Sequence, residues 1–144
     1  MNTPVIVDTS GLISLVSFTD SNHARALAAS DRLLTERRPL IISGEVFTET
    51  VNTLGKKTGH ETADALGRRL IRSGEFVLVE TTPAFREAAL GRFAAQPGGV
   101  SLTDCFVMTL ADHFQTKEIF GFDDAFRKNG YRLPAAAAER REAA

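Results

Sequence analysis

The sequence predicts an α/β fold: three layers, α/β/α, around a mostly parallel central sheet of four to five strands. Two observations carry this prediction. Short apolar runs without alternation, such as Val5-Ile6-Val7, Leu40-Ile41-Ile42 and Phe76-Val77-Leu78-Val79, read as strands buried on both faces. Stretches with helical spacing separate them, which argues for crossover helices and parallel pairing. The length of 144 residues suits one domain with a full core. At 43% hydrophobic and 24% charged residues, the chain is not of a disordered class.

The elements follow in order. Val5–Val7 is closed by Asp8, and Thr9-Ser10-Gly11 opens a helix carrying Leu12, Ile13, Leu15 and Val16. Residues 21–36 form a weakly amphipathic helix. Leu40-Ile41-Ile42-Ser43 is the second strand, and Ser43 caps a helix running to about Leu54. Ala63, Leu66 and Leu70 mark a helix from His60 to Arg72, ended by Gly74. Phe76–Val79 is the third strand. Pro83 suits the first turn of the next helix, whose apolar face is Phe85, Ala88, Ala89 and Phe93. Gln96-Pro97-Gly98-Gly99 breaks the chain. The helix from Ser101 to about Phe114 is apolar nearly all round and should be the most buried. Ile119–Phe122 is the fourth strand, Asp123 to Lys128 a short turn, and Tyr131–Leu133 a candidate fifth strand. Residues 1–134 are expected to form one domain, and the alanine-rich 135–144 a frayed helix or tail.

Composition narrows the function classes. The 17 basic and 18 acidic residues give a formal charge of −1, so bulk positive charge does not hold this chain to nucleic acid. A single cysteine, Cys105, excludes an internal disulfide and a multi-cysteine metal site. No stretch approaches the roughly 20 apolar residues of a membrane span, and no targeting signal is evident, so the expected location is the cytoplasm.

Carboxylates are the chemistry-bearing residues. In a doubly wound sheet, sites form at the carboxyl ends of strands where the strand order reverses. Asp8 follows the first strand, Glu45 and Glu49 lie on the helix after the second, Asp104 begins the buried helix, and Asp123 and Asp124 follow the fourth strand. Each has a structural explanation. Asp8 and Asp123 suit helix caps, Ser101 with Asp104 suits an acidic capping box, and Glu45 suits a helix N-terminus. Periodicity does not choose between Glu45 and Glu49. Gathered in one cleft, such carboxylates would call for a hard divalent cation, which in turn suits phosphodiester hydrolysis.

The matching segments are Val5-Ile6-Val7-Asp8-Thr9-Ser10, Ile42-Ser43 through Glu49-Thr50-Val51-Asn52-Thr53-Leu54, Ser101-Leu102-Thr103-Asp104-Cys105 and Gly121-Phe122-Asp123-Asp124-Ala125-Phe126. In their order and spacing the chain resembles the PIN domain, especially the VapC-type toxins of bacterial toxin–antitoxin pairs, over roughly residues 4–133. The resemblance implies a PIN-like nuclease domain. Its activity would be endoribonuclease cleavage dependent on Mg²⁺, with Mn²⁺ as a substitute, leaving a 5′ phosphate. It implies Asp8, Glu49, Asp104 and Asp123 as the catalytic acids, with Asp8, Asp104 and Asp123 as metal ligands. Thr9, Ser10, Ser43, Ser101 and Asp124 are implied as supporting or phosphate-contacting residues. Gly121-Phe122 departs from the family pattern, which often has Thr or Ser before the last acid. The implied partners are an RNA substrate, a cognate antitoxin and a second copy in a homodimer.

Candidate RNA-binding cations are Lys56, Lys57, Arg68, Arg69 and Arg72. No aromatic stacking platform is evident, since tryptophan is absent and Tyr131 is the only tyrosine. A phosphorelay receiver would need an aspartate after the third strand, where Glu80-Thr81-Thr82 stands. A haloacid-dehalogenase-type phosphatase would need one at Ser10. A housekeeping PIN ribonuclease and an inactive PIN-like binding module remain as alternatives. Setting the four acids aside leaves 14 acidic against 17 basic residues, an acidic cleft in a mildly basic shell.

Overall fold

The computed structural model describes residues 3–134; the expected tail at 135–144 lies outside them. The elements are β1 (Val5–Val7), α1 (Thr9–Val16), α2 (His23–Thr35), β2 (Leu40–Ser43), α3 (Gly44–Thr58), α4 (His60–Arg72), β3 (Phe76–Val79), α5 (Pro83–Ala94), α6 (Leu102–His113), β4 (Ile119–Phe120) and α7 (Asp124–Lys128).

The four strands form a parallel sheet in the order β3-β2-β1-β4. The chain steps outward from β1 through β2 to β3, then crosses back to place β4 on the other side of β1. With α1 packed on α2 and α3, α3 on α4, and α5 on α6, the right-handed crossover rule puts α1–α4 on one face and α5–α6 on the other, the predicted three layers. The strand order therefore reverses at β1, and its carboxyl end is where a site is expected.

The sequence explains the layers. Val5, Ile6, Val7 and Ile42 have almost no exposed surface, as unbroken apolar strands buried on both faces require. Cys105, Phe106, Val107, Met108, Leu110 and Ala111 make α6 the most buried helix, packed on β1 and β2. Gly11 allows α1 to sit on β4, because a Cβ there would lie 2.3 Å from the Phe120 carbonyl oxygen. The start of β4 is tied to the start of β2 by a buried ion pair, Arg38 with Glu118, at the amino edge of the sheet.

Several expectations need correction. Helix α3 runs a turn further than Leu54, to Thr58, where Gly59 with φ +97° ends it. Strand β4 stops at Phe120 rather than Phe122. The next ladder acceptor would be the Asp8 carbonyl, which already accepts from Leu12 N–H as α1 begins. Tyr131–Leu133 forms no fifth strand, only one parallel bridge between Glu118 and Arg132. Pro134 lacks the N–H that would continue it. Helix α5 is peripheral: Ala89 is buried, but Ala88 and Phe93 are exposed, because the helix covers α6 and little else. The edge strand β3 likewise leaves Val77 and Leu78 exposed.

Candidate active site

Local folding fixes three of the acids. Asp8 is the last residue before α1 and caps it. Its Oδ2 accepts from Ser10 N–H at 3.1 Å and from the Ser10 hydroxyl at 2.6 Å. Asp104 completes a capping box: its N–H donates to Ser101 Oγ at 3.0 Å, and its Oδ2 accepts from Ser101 N–H at 3.2 Å. Asp123 caps α7, accepting from Ala125 N–H at 2.9 Å. The capping and site explanations therefore coincide. Helix starts hold these carboxylates in fixed directions, and their free N–H groups favour negative charge there. Glu49 reaches the same place from the second turn of α3.

All four line one cleft of about 480 Å³, with Thr9, Ser10, Thr53, Ser101 and Phe122 around them. Asp8 and Asp104 lie deep, at 4% and 8% exposure, while Glu49 and Asp123 stand at the open rim. Burial pushes the Asp8 carboxyl up to about 6 against the Ser10 hydrogen bonds, with the Glu49 charge adding to it. Burial likewise pushes Asp104 up to about 6, helped by the charges of Asp123 and Asp8. Glu49 is also raised, by desolvation first and by Asp104, while a hydrogen bond from Thr103 opposes the shift. Asp8 feels the charge of Glu49, Glu49 that of Asp104, and Asp104 those of Asp123 and Asp8, so the carboxylates of the cleft are electrostatically linked. Among the described residues no lysine or arginine forms an ion pair with any of the four.

A family model described as the PIN domain matches residues 5–130, nearly all of the described chain. The chain belongs to the PIN domain family. It is similar in structure to VapC20 of Mycobacterium tuberculosis, described as a toxin that cleaves the sarcin–ricin loop. The TM-score is 0.78 and the identity 22%, over 90% of this chain and 98% of that one. At that identity the likeness shows the fold. No curated protein gives a significant sequence match.

This PIN domain separates residues that the sequence leaves paired. Glu45 is turned away from the cleft; its Oε2 accepts from Thr81 Oγ1 and Arg86 Nη2, each at 2.7 Å. Asp124 points outward and pairs with Arg127. Ser43 is fully buried, where its hydroxyl accepts from Val46 N–H at 3.1 Å to cap α3, and it lines no part of the acid cleft. Thr9 is held in place by a buried hydrogen bond from Thr50 Oγ1 at 3.3 Å.

The candidate cations divide too. Lys56 lines a neighbouring cleft of about 910 Å³, which shares Glu49 and Thr53 with the acid cleft. Lys57 lies within electrostatic reach of Asp20. Arg68 pairs with Asp64, and Arg69 with Glu75. Arg68, Arg69 and Arg72 sit on the last turns of α4, which feeds the amino end of β3, opposite the acids.

Other members of the cleft carry no sequence signal. Ser14 from α1 and Asp20 and Asn22 from the α1–α2 turn also line it; Asp20 Oδ1 accepts from Ser14 Oγ at 2.9 Å and from Asn22 N–H at 2.8 Å. The polar run Thr19–Asn22 reads as a turn, but nothing in it points to Asp8. Phe122 is an aromatic lining residue of the cleft.

The donor set suits a hard divalent cation, since it consists of carboxylate oxygens without a protein counter-charge. Among the described residues no three His, Cys, Asp or Glu side chains close on a single ion-sized point. Among the described residues no helix is long and apolar enough to cross a membrane.

Proposed function

We propose that this PIN domain is a Mg²⁺- or Mn²⁺-dependent endoribonuclease and the toxin of a toxin–antitoxin pair. The observation that carries the proposal is the convergence of Asp8, Glu49, Asp104 and Asp123 from four separate segments into one cleft without a basic partner. Family membership supports the nuclease class, and the likeness to a VapC toxin supports the toxin role.

Asp8, Asp104 and Asp123 are the residues that would hold one or two metal ions, directly or through water, since no three of the described side chains close on one ion-sized point. A bound divalent ion supplies charge stabilisation on the phosphate and the departing 3′ oxygen. Glu49 is raised in pKa and stands at the open rim, where water enters, so it serves as the base that takes a proton from the attacking water. Thr103 holds its carboxylate in direction. The water oxygen bonds to phosphorus as the P–O3′ bond breaks. One fragment then carries a 5′ phosphate, and the other a 3′ hydroxyl after protonation. Ser10 keeps Asp8 in place by donating to it while accepting from Phe122 N–H at 2.9 Å.

An RNA-cleavage assay with Mg²⁺, Mn²⁺ and EDTA arms tests the activity. Wild type should cut with either ion and stop with EDTA. Asp8→Asn should not cut, while keeping the wild-type circular dichroism spectrum. Wild-type-rate cutting by that variant would refute the assignment. The toxin role predicts growth arrest on expression, relieved by a small neighbouring gene product. Harmless overexpression would point to a housekeeping nuclease. Phe18 in the α1–α2 turn and Leu27 and Leu34 on α2 stand exposed, which supports an antitoxin helix laid there; the proposal also includes a homodimer in the cytoplasm.

A further inference from the structure

We infer that Arg25, seated on the Phe122 ring, binds an RNA phosphate at the rim of the acid cleft and so positions the strand for cutting; this rests on the ribonuclease reading above. The Arg25 guanidinium carbon lies 5.1 Å from the centroid of the Phe122 ring. Its Nη1 donates to Asn22 Oδ1 at 3.2 Å. Both contacts belong to residues that line the cleft with the four acids. Phe122 is in turn anchored to the site, since its N–H donates to the same Ser10 hydroxyl that donates to Asp8. The guanidinium is thus connected to Asp8 through three successive contacts, by way of Phe122 and Ser10.

Its charge is available. Arg68, Arg69, Arg86, Arg92 and Arg127 each meet a carboxylate. Arg25 is exposed and, among the described residues, pairs with none. An aromatic seat leaves the in-plane N–H donors of a guanidinium free for the oxygens of a phosphate, which Arg can bind in bidentate fashion. The site also needs such a group. Carboxylates repel a phosphodiester, and a cation just outside them offsets that repulsion for the neighbouring phosphates. Lys56 provides a second cation in the adjoining cleft, beyond Glu49 and Thr53. A strand laid across the acids would then meet positive charge on either side.

Two measurements on full-length protein test the role. Steady-state cleavage of a short single-stranded RNA should show Arg25→Gln raising KM about tenfold, the scale of one lost charged contact, with kcat changed by less than about threefold. Binding of the same RNA is measured by fluorescence anisotropy in an Asp8→Asn background, which removes cutting. There Arg25→Gln should reduce the slope of log Kd against log salt by about 0.7, one phosphate contact on a single strand. Arg25→Lys should restore that slope while recovering only part of the affinity, because it keeps the charge and loses the planar fork. An unchanged KM and slope in Arg25→Gln, or a loss confined to kcat, overturns the assignment while leaving the ribonuclease reading intact. A wild-type protein that cuts RNA with neither ion overturns that reading, and this assignment with it.

Discussion

Gly121 lies directly against Asp8: a Cβ built on it would stand 2.8 Å from the Asp8 Cβ and 2.9 Å from the Phe126 ring. Neither neighbour is free to retreat, since Asp8 is fixed by Ser10 and Phe126 is buried. Gly121→Ala should therefore cost about 1–3 kcal/mol, the usual range for overpacking, and displace the Asp8 carboxylate. Melting temperature and RNA cleavage should fall together. Gly91→Ala is the contrasting case, on an exposed part of α5 with no atom within 4 Å of the added Cβ. It should stabilise by up to about 1 kcal/mol and leave cleavage unchanged.

The raised carboxyls make a prediction about pH. Asp8 and Asp104 titrate near 6 in the fold and near 3.8 in the unfolded chain, so the fold prefers their protonated forms. That preference is fully present below about pH 4 and is lost as the pH rises to about 6. The change is on the order of 2–3 kcal/mol for one such carboxyl. Metal-free protein should melt lower at pH 7.5 than at pH 5 by differential scanning fluorimetry. Asp8→Asn should melt higher than wild type at pH 7.5 in EDTA, having lost a buried charge. Added Mg²⁺ should raise the wild-type melting temperature more at pH 7.5 than at pH 5, because the ligands must be deprotonated. A flat wild-type profile would contradict this account.

The parts of the site that the sequence made legible are those set by local chemistry. Asp8, Asp104 and Asp123 stand at strand–helix junctions where a capping residue is needed anyway, so the turn pattern located them. Glu45 and Glu49 are one helical turn apart on a polar stretch, and only the tertiary partners separate them: Arg86 and Thr81 hold the first, Thr103 the second. The Ser10–Phe122 hydrogen bond joins residues 112 apart, and no spacing rule could anticipate it. The short β4 and the missing fifth strand have single-atom causes, a carbonyl already used by α1 and a proline without its N–H. Hydropathy does not register either.

The opposite edge of the sheet should affect stability without affecting chemistry. Arg38 and Glu118 form an ion pair with almost no exposed surface, and Arg38 Nε also donates to the Thr3 carbonyl at 2.6 Å. Removing Glu118 leaves the buried Arg38 charge, among the described residues, with only the longer contact to Glu36, at 3.4 Å, and losing one partner of a buried pair costs up to about 3–5 kcal/mol. Glu118→Gln should lower the urea midpoint by a corresponding amount while leaving kcat unchanged below the melting transition. The double replacement Arg38→Met with Glu118→Leu should regain most of the loss, since apolar side chains of similar volume need no counter-charge.

Ser10 links the stability of the cleft to its proton affinity. Its hydroxyl and backbone N–H are the main influences that hold the Asp8 carboxyl down against burial. The hydroxyl also occupies the Phe122 N–H, the backbone donor freed where β4 ends. Ser10→Ala therefore removes two interactions with one atom. The Asp8 carboxyl should move further up, so that a larger share of the protein is protonated near neutrality and unable to bind metal. The acid limb of the pH–rate profile should shift to higher pH, and the Mg²⁺ concentration for half-maximal activity at pH 7 should rise by about 10–100-fold, the usual effect of losing a partner that orients a metal ligand. Ser10→Thr keeps the hydroxyl and should restore both. A Ser10→Ala enzyme that is slower at every pH with an unshifted profile would show that Ser10 only shapes the loop.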